Sequence, residues 1–494
     1  MGVRGVVSLL CVAAAILLTV PQAHAQDGVW MRAESENFIV YSRGRERPLR
    51  DAVRSLEHFN DVLHERTGAP RPETPVKLTL YLLRDREALQ IVWPGAAHDI
   101  AGFYTYQPEQ VAAFAISDDR GWQGGAQQVL FHEYAHHFMM QYFHAPYPAW
   151  YVEGFAEYMA TVDFDHRGTL VGRPSDAREV ELVRVARQQL LPMDAVLSGM
   201  PAEADARSLF YAQSWLMVHY MFSAPERQSA FNAYMRGIRQ GVEPVQAFES
   251  AFGMSAGQFR TVLTNYMQGT IQYTVYPNIE LEDSAITITR MPRSADDLIL
   301  QNARLRRLRG DNAELVESIV NQAARFPGDS YAAHSAAYAE LLRNPARARE
   351  LAAPLLEANA QDFEAQYITG RSYFAEAEAA EEGRDAAMAQ ARRHFVRAFR
   401  VNPNHVPTLY YYVRTQNVYP MPDDVLDVLV QAHLLAPQVD EIRFNLAIHL
   451  LNGRRFSDAA QILGPIAYSP HGGDTAARAR RYLEAAQRGE MPEW

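Results

Sequence analysis

His132-Glu133-Tyr134-Ala135-His136 places two histidines four residues apart, with a glutamate directly after the first. On a helix, residues i and i+4 share one face a turn apart, so both imidazoles can reach a single metal ion. Glu133 then stands beside the open side of that ion, where a carboxylate can take a proton from water. Histidine makes up 16 of the 494 residues, and composition alone would produce this pattern in about 0.03 of chains of this length. The surrounding residues must therefore decide.

A catalytic zinc takes three protein ligands and keeps one position open. Glu153 is the candidate third ligand, one loop away in Trp150–Tyr158 (WYVEGFAEY). Its neighbour Gly154 would let that helix come close to the histidine helix. Glu157, four residues on, faces the same way and could hold the outer nitrogen of one histidine. Trp150, Val152, Phe155 and Tyr158 make this setting too apolar for an ordinary solvated acidic face. A three-histidine metzincin site is excluded, because Met139 and Tyr142 occupy the places of its glycine and third histidine. His137 points about 100° away from His136 and His144 lies beyond the helix end, so both read as structural or surface residues. Hydrolysis also needs a group to stabilise an oxyanion or protonate a leaving amine. The apolar helix Ser208–Met221, with Tyr211, His219 and Tyr220, is the candidate source.

The elements that must position these groups are legible by period. Alternating β-branched and aromatic runs predict strands over 37–41, 76–83, 102–106 and 111–117, with a helix over the 50s to mid 60s. Helical spacing follows over 126–141 and 149–161, with Pro146 and Pro148 between them, then over 179–191, 209–222, 226–240 and 255–268. Residues 273–290 read as extended. Beyond about 290 the chain is alanine-rich, helical and self-similar, with Pro403, Pro437 and Pro470 marking a period near 34. The charged stretch Glu376–Arg384 reads as an insertion. Paired helices at that period resemble tetratricopeptide repeats, which must stack because one pair cannot bury its own apolar face.

HEYAH followed by WYVEGFAEY resembles the gluzincin metallopeptidases, in particular secreted peptidase MA-like proteins joined to tetratricopeptide repeats. The resemblance implies an α+β zincin-like metallopeptidase domain over 26–290 and an all-α repeat domain over 291–494. It implies one zinc ion held by His132, His136 and Glu153, with Glu133 as general base. A similar Y-A-Q-S helix in that family singles out Tyr211. It also suggests that the strand over 111–117 pairs with substrate backbone at a sheet edge. The chain lacks the Gly-x-Met-x-Asn signature of the aminopeptidase branch and has a shorter interval from His136 to Glu153.

The first 25 residues, with Arg4, an apolar run from Val6 to Val20 and the small residues Ala23 and Ala25, read as a cleavable signal peptide. Secretion or a periplasmic location is the corresponding expectation. The lone cysteine, Cys11, falls inside that segment, so disulfides have no part in the mature fold. A net charge of -11 argues against nucleic acid, and no later segment is apolar enough to span a bilayer. The expected partners are a peptide or protein substrate and a protein held by the repeats. Three other functions remain compatible: a non-haem iron site, a zinc hydrolase of non-peptide bonds, and a catalytically silent scaffold whose repeats bind a partner.

Overall fold

The computed structural model describes residues 29–492 apart from 74, 99, 118–124, 144, 175–189, 278–284, 309–311, 417–420 and 469–472. The expected signal peptide with Cys11, His144, Pro470 and nearly all of the helix expected over 179–191 lie outside the described residues.

The first half is built on a six-stranded mixed sheet. Its strands are β1 (Trp30–Glu34), β2 (Phe38–Arg43), β3 (Leu78–Leu83), β4 (Gly102–Gln107), β5 (Gln110–Ile116) and β9 (Thr287–Arg290), in the order β4-β5-β3-β2-β1-β9. β2, β3 and β5 run parallel, while β4, β1 and β9 pair antiparallel with their neighbours. The extended 273–290 segment thus contributes a strand to this sheet. β5, expected to be exposed to substrate, lies inside the sheet between β3 and β4, and the edge on that side is β4. The register explains the correction: β5 uses one side to pair with β3 from Thr79↔Ala112 to Leu83↔Ile116 and the other to pair with β4.

One face of the sheet carries α1 (Glu46–Thr67) and α3 (Gly125–Tyr142). α4 (Ala149–Ala160), α5 (Met193–Ser198), α6 (Ala204–Phe222), α7 (Pro225–Arg239), α8 (Pro244–Phe252) and α9 (Ala256–Gln268) extend the same core. Ser255 and Gln258 close the start of α9 with a reciprocal capping box. A small sheet, β6 (Asp163–Asp165), β7 (Gly168–Val171) and β8 (Thr274–Tyr276), flanks these helices. The other face of the main sheet holds α2 (Arg86–Val92) and α10 (Ala295–Arg307), whose Ala295, Ile299 and Ala303 pack with Leu83, Phe103 and Phe114.

From α10 onward the described chain is helical apart from its connections. Pairs run α10 and α11 (Ala313–Ala323), α12 (Ser330–Glu340) and α13 (Pro345–Ala358), α14 (Phe363–Ala379) and α15 (Arg384–Val401). They continue through α16 (Val406–Arg414) and α17 (Asp423–Leu435), α18 (Asp440–Asn452) and α19 (Phe456–Ala467), ending in α20 (Gly473–Gln487). Successive helices pack on one another around a single apolar core. The expected insertion takes the form of long helices, 17 residues in α14 and 18 in α15, on either side of the loop at Ala380–Gly383. No helix among the described residues is long and apolar enough to cross a membrane.

His405 starts α16, where its Nδ1 accepts from the Thr408 backbone N–H at 3.3 Å and lies 2.8 Å from the Thr408 hydroxyl. Its ring stands edge-on to Phe363 and Tyr367. Burial pushes its pKa down from 6.5 to about 4, with the nearby Arg306 and Arg371 acting in the same direction against Glu364. A histidine depressed in this way contributes stability above its unfolded pKa and loses it as pH falls toward the folded value. Chemical denaturation between pH 7 and 4 should show a loss of about 2–3 kcal/mol from this group. His405→Asn, which keeps a capping acceptor that does not titrate, should remove this group's share of the loss and leave the shares of His137 and His394, which burial also depresses to about 4.

Candidate metal centre

α3 is apolar on nearly every side, and its rotation is fixed by contacts beside the motif. Phe131 stacks on Phe59 of α1 with centroids 3.9 Å apart, and the Tyr134 hydroxyl donates to Asn60 Oδ1 at 2.7 Å. Each buried aromatic contributes about 2–3 kcal/mol from apolar burial. With Phe131 and Tyr134 turned toward α1 and the sheet, His132 and His136 are left to face α4.

α4 is held in turn by α6. A Cβ on Gly154 would lie 2.5 Å from the Ser214 carbonyl oxygen and 2.9 Å from Val218 Cγ2. The close approach that Gly154 permits is therefore to α6, rather than to the histidine helix. The sequence showed that a small residue was there without showing its neighbour. Trp150 and Tyr151 add a second anchor, with Trp150 Nε1 donating to the Tyr234 hydroxyl at 3.3 Å.

These contacts bring His132, His136 and Glu153 together. His132 Nε2 and His136 Nε2 are 3.0 Å apart. Glu153 Oε2 lies 3.4 Å from His136 Nε2 and 3.8 Å from His132 Nε2. Zinc bonds of about 2.0–2.1 Å place two ligands of a tetrahedron about 3.3–3.4 Å apart, and the three distances straddle that edge. The donor set of two imidazoles and one carboxylate therefore fits a single zinc-sized ion. Glu153 is 1% exposed and His136 is 6% exposed, whereas His132 is partly open to solvent. Glu157 Oε1 stands 3.5 Å from His132 Nδ1, the ring nitrogen turned away from the cluster, as the helical spacing predicts.

The surrounding charges agree with this geometry. Burial acts to lower the His136 pKa, but Glu153, Glu133 and Glu157 outweigh it and the net shift is upward. Burial raises the Tyr211 phenol well above its ordinary value, and Glu153, Glu157 and Glu133 add to the rise against Arg207. Tyr211 on α6 therefore lies in the field of the cluster and keeps its proton, with its hydroxyl 3.9 Å from Met200 Sδ. His219 is structural: its ring meets the Tyr266 hydroxyl and the carbonyls of Gly172 and Gln272. His137 is also structural, buried against the Tyr104 hydroxyl at 2.9 Å with its pKa pushed down to about 4 by burial.

Sequence reasoning missed Tyr104 and the repeat domain's share of the site. Tyr104, on the edge strand β4, is partly buried; burial raises its phenol, Tyr106 and Glu133 add to the rise, and the Gln438 side chain lies beside it. A small cavity of about 70 Å³ beside His136 is walled by Tyr106 and Val152 on one side and by Gln438 and Asp440 on the other. Tyr104 and Tyr106 alternate in β4, which gave a signal for two aromatic side chains on one face. Gln438 lies more than 300 residues away and gave none.

No protein-family model matches the chain, and no curated protein matches it. Among solved structures, a crystal structure of a thermophilic TPR protein from Thermus thermophilus overlaps 39% of this chain and all of its own, at 21% identity and a TM-score of 0.34.

Gly154→Ala tests the packing that carries Glu153. Helix propensity alone would favour alanine by about 1 kcal/mol, but the Ser214 carbonyl cannot yield without moving α6, and overpacking of this kind costs about 1–3 kcal/mol or more. The expected outcome is a melting temperature lowered by a few degrees in calorimetry; an unchanged or raised value would mean that α4 and α6 separate freely.

Proposed function

We propose that the chain is a zinc-dependent metallopeptidase of the gluzincin type that hydrolyses peptide bonds outside the cytoplasm. The observation that carries this reading is the set of donor atoms of His132, His136 and Glu153, all within 4.8 Å of one another, on the helix that also carries Glu133 and its neighbour α4. His132, His136 and Glu153 would hold the ion, with Glu157 orienting the His132 ring. When bound, zinc supplies a Lewis acid and lowers the pKa of water toward neutrality.

Glu133 accepts a proton from the attacking water and returns it to the leaving nitrogen, so its carboxylate ends the cycle as it began. Tyr211 donates a hydrogen bond from a phenol that burial and three carboxylates keep protonated, as stabilisation of an oxyanion requires. The apolar first 25 residues are the export signal in this reading. The helical repeats present their side chains to a protein partner, either substrate or recruiter.

Zinc stoichiometry measured beside cleavage of a peptide library tests the proposal. The native chain should carry one zinc and cleave. Glu133→Gln should retain zinc and lose at least about 10²–10⁴-fold in turnover, whereas Glu153→Ala should lose metal. Iron in place of zinc would favour an oxygenase, and zinc without peptide cleavage would favour another bond or the silent scaffold.

A further inference from the structure

The two-residue turn between β4 and β5 places Glu109 against the repeat helices. Its Oε2 accepts hydrogen bonds from the Tyr338 hydroxyl at 2.9 Å and the Tyr367 hydroxyl at 2.8 Å, and its Oε1 pairs with the Arg371 guanidinium. Arg371 also donates to the Tyr367 hydroxyl at 2.8 Å and lies over the Tyr411 ring at 3.5 Å. These residues come from α12, α14 and α16, the first helices of three successive pairs. Both carboxylate oxygens are thus read, one by two phenols and one by a cation, in a setting where Glu109 and Arg371 are each only 15% exposed. Charge-assisted bonds of this kind are among the stronger hydrogen bonds in proteins.

The hairpin tip fills only part of the space it enters. A cavity of about 800 Å³ separates the sheet from the inner side of these helices, and Asn302, His334, Asn402 and Asn404 line it together with Lys77 and Glu109. That volume, lined by polar and apolar groups alike, suits an extended peptide. We propose that the Tyr338–Tyr367–Arg371 pocket is a docking site for an acidic peptide segment of a partner protein, in which the partner's carboxylate takes the place of the Glu109 carboxylate. The hairpin that would be released carries Tyr104 and Tyr106, so partner docking and the wall of the candidate metal centre share one element.

Tethering gives Glu109 an effective concentration in the millimolar range or above, so an incoming carboxylate competes poorly until Glu109 is removed. The probe is the hexapeptide Tyr-Gln-Pro-Glu-Gln-Val, the hairpin's own 106–111 sequence, acetylated and amidated, titrated by calorimetry into the full chain. The Glu109→Ala chain should bind it at least about 10-fold more tightly than the native chain does. Glutamine in place of the peptide's glutamate should cost at least about 10-fold, as should adding Arg371→Gln to the Glu109→Ala chain. A glutamine-containing hexapeptide with a free C-terminus shows whether a terminal carboxylate can substitute for a side-chain one. Equal binding of the glutamate and glutamine peptides, or equal binding by the native and Glu109→Ala chains, would overturn the proposal. Should Glu109→Ala fail to fold by circular dichroism, the isosteric Glu109→Gln chain takes its place: it too should bind the glutamate hexapeptide more tightly than the native chain does, and equal binding refutes the docking site. None of these measurements requires a metal or hydrolysis, so they stand apart from the peptidase reading.

Discussion

Burying a carboxylate is costly unless positive charge lies beside it, and Glu153, with 1% of its surface exposed, imposes that condition on the centre of the molecule. Two imidazoles meet it on one side, and Glu153, with Glu133 and Glu157, turns the His136 shift upward against the effect of burial. The packing is arranged around this requirement. Phe131 and Tyr134 turn α3 so that both histidines face α4, while Gly154 seats α4 on α6 so that Glu153 cannot swing out toward water. α6 in turn brings Tyr211 into the field of the same carboxylates. A polar cluster is thus held by apolar contacts that lie close beside its members in the chain.

What could be read from the sequence follows the reach of local rules. Four-residue spacing put His132 and His136 on one face, and one loop placed Glu153 and Glu157 within range; the structure brings all four together. Alternation identified the strands β2 to β5, and the extended reading over 273–290 covered β8 and β9, while β1, β6, β7, α2, α5 and α8 went unread. Alternation tells a strand from a helix and says nothing of its neighbours, which is why β5 could be taken for an edge when its parallel partner β3 makes it interior. Gly154 shows the same limit: a missing Cβ permits a close approach without naming the surface approached. Longer-range matches were out of reach altogether. The placing of Gln438 beside Tyr104 and the capture of Glu109 by Tyr338, Tyr367 and Arg371 depend on how two bodies meet, and no periodicity records it.

The meeting of those bodies bears on how the repeats act. If they served only as a separate recruiting arm, the polar groups on their first helices would face solvent, where hydrogen bonds to water cost little to exchange. Instead Tyr338 and Tyr367 are nearly or fully buried and spend their hydroxyls on a carboxylate of the sheet domain, and the buried Gln438 lies against a tyrosine beside the candidate metal centre. Separating the two halves would exchange these bonds for bonds to water, at a net cost of about 0.5–1.5 kcal/mol for a neutral pair and about 1.5–3 kcal/mol for each bond to the carboxylate. The β4–β5 hairpin is therefore held at its tip by one set of repeat helices and along its strand by another, with the edge of the sheet between them. An element gripped at two points moves only when one grip is replaced by an equivalent one, and a second carboxylate is the chemical group that the grip at Glu109 is built to accept.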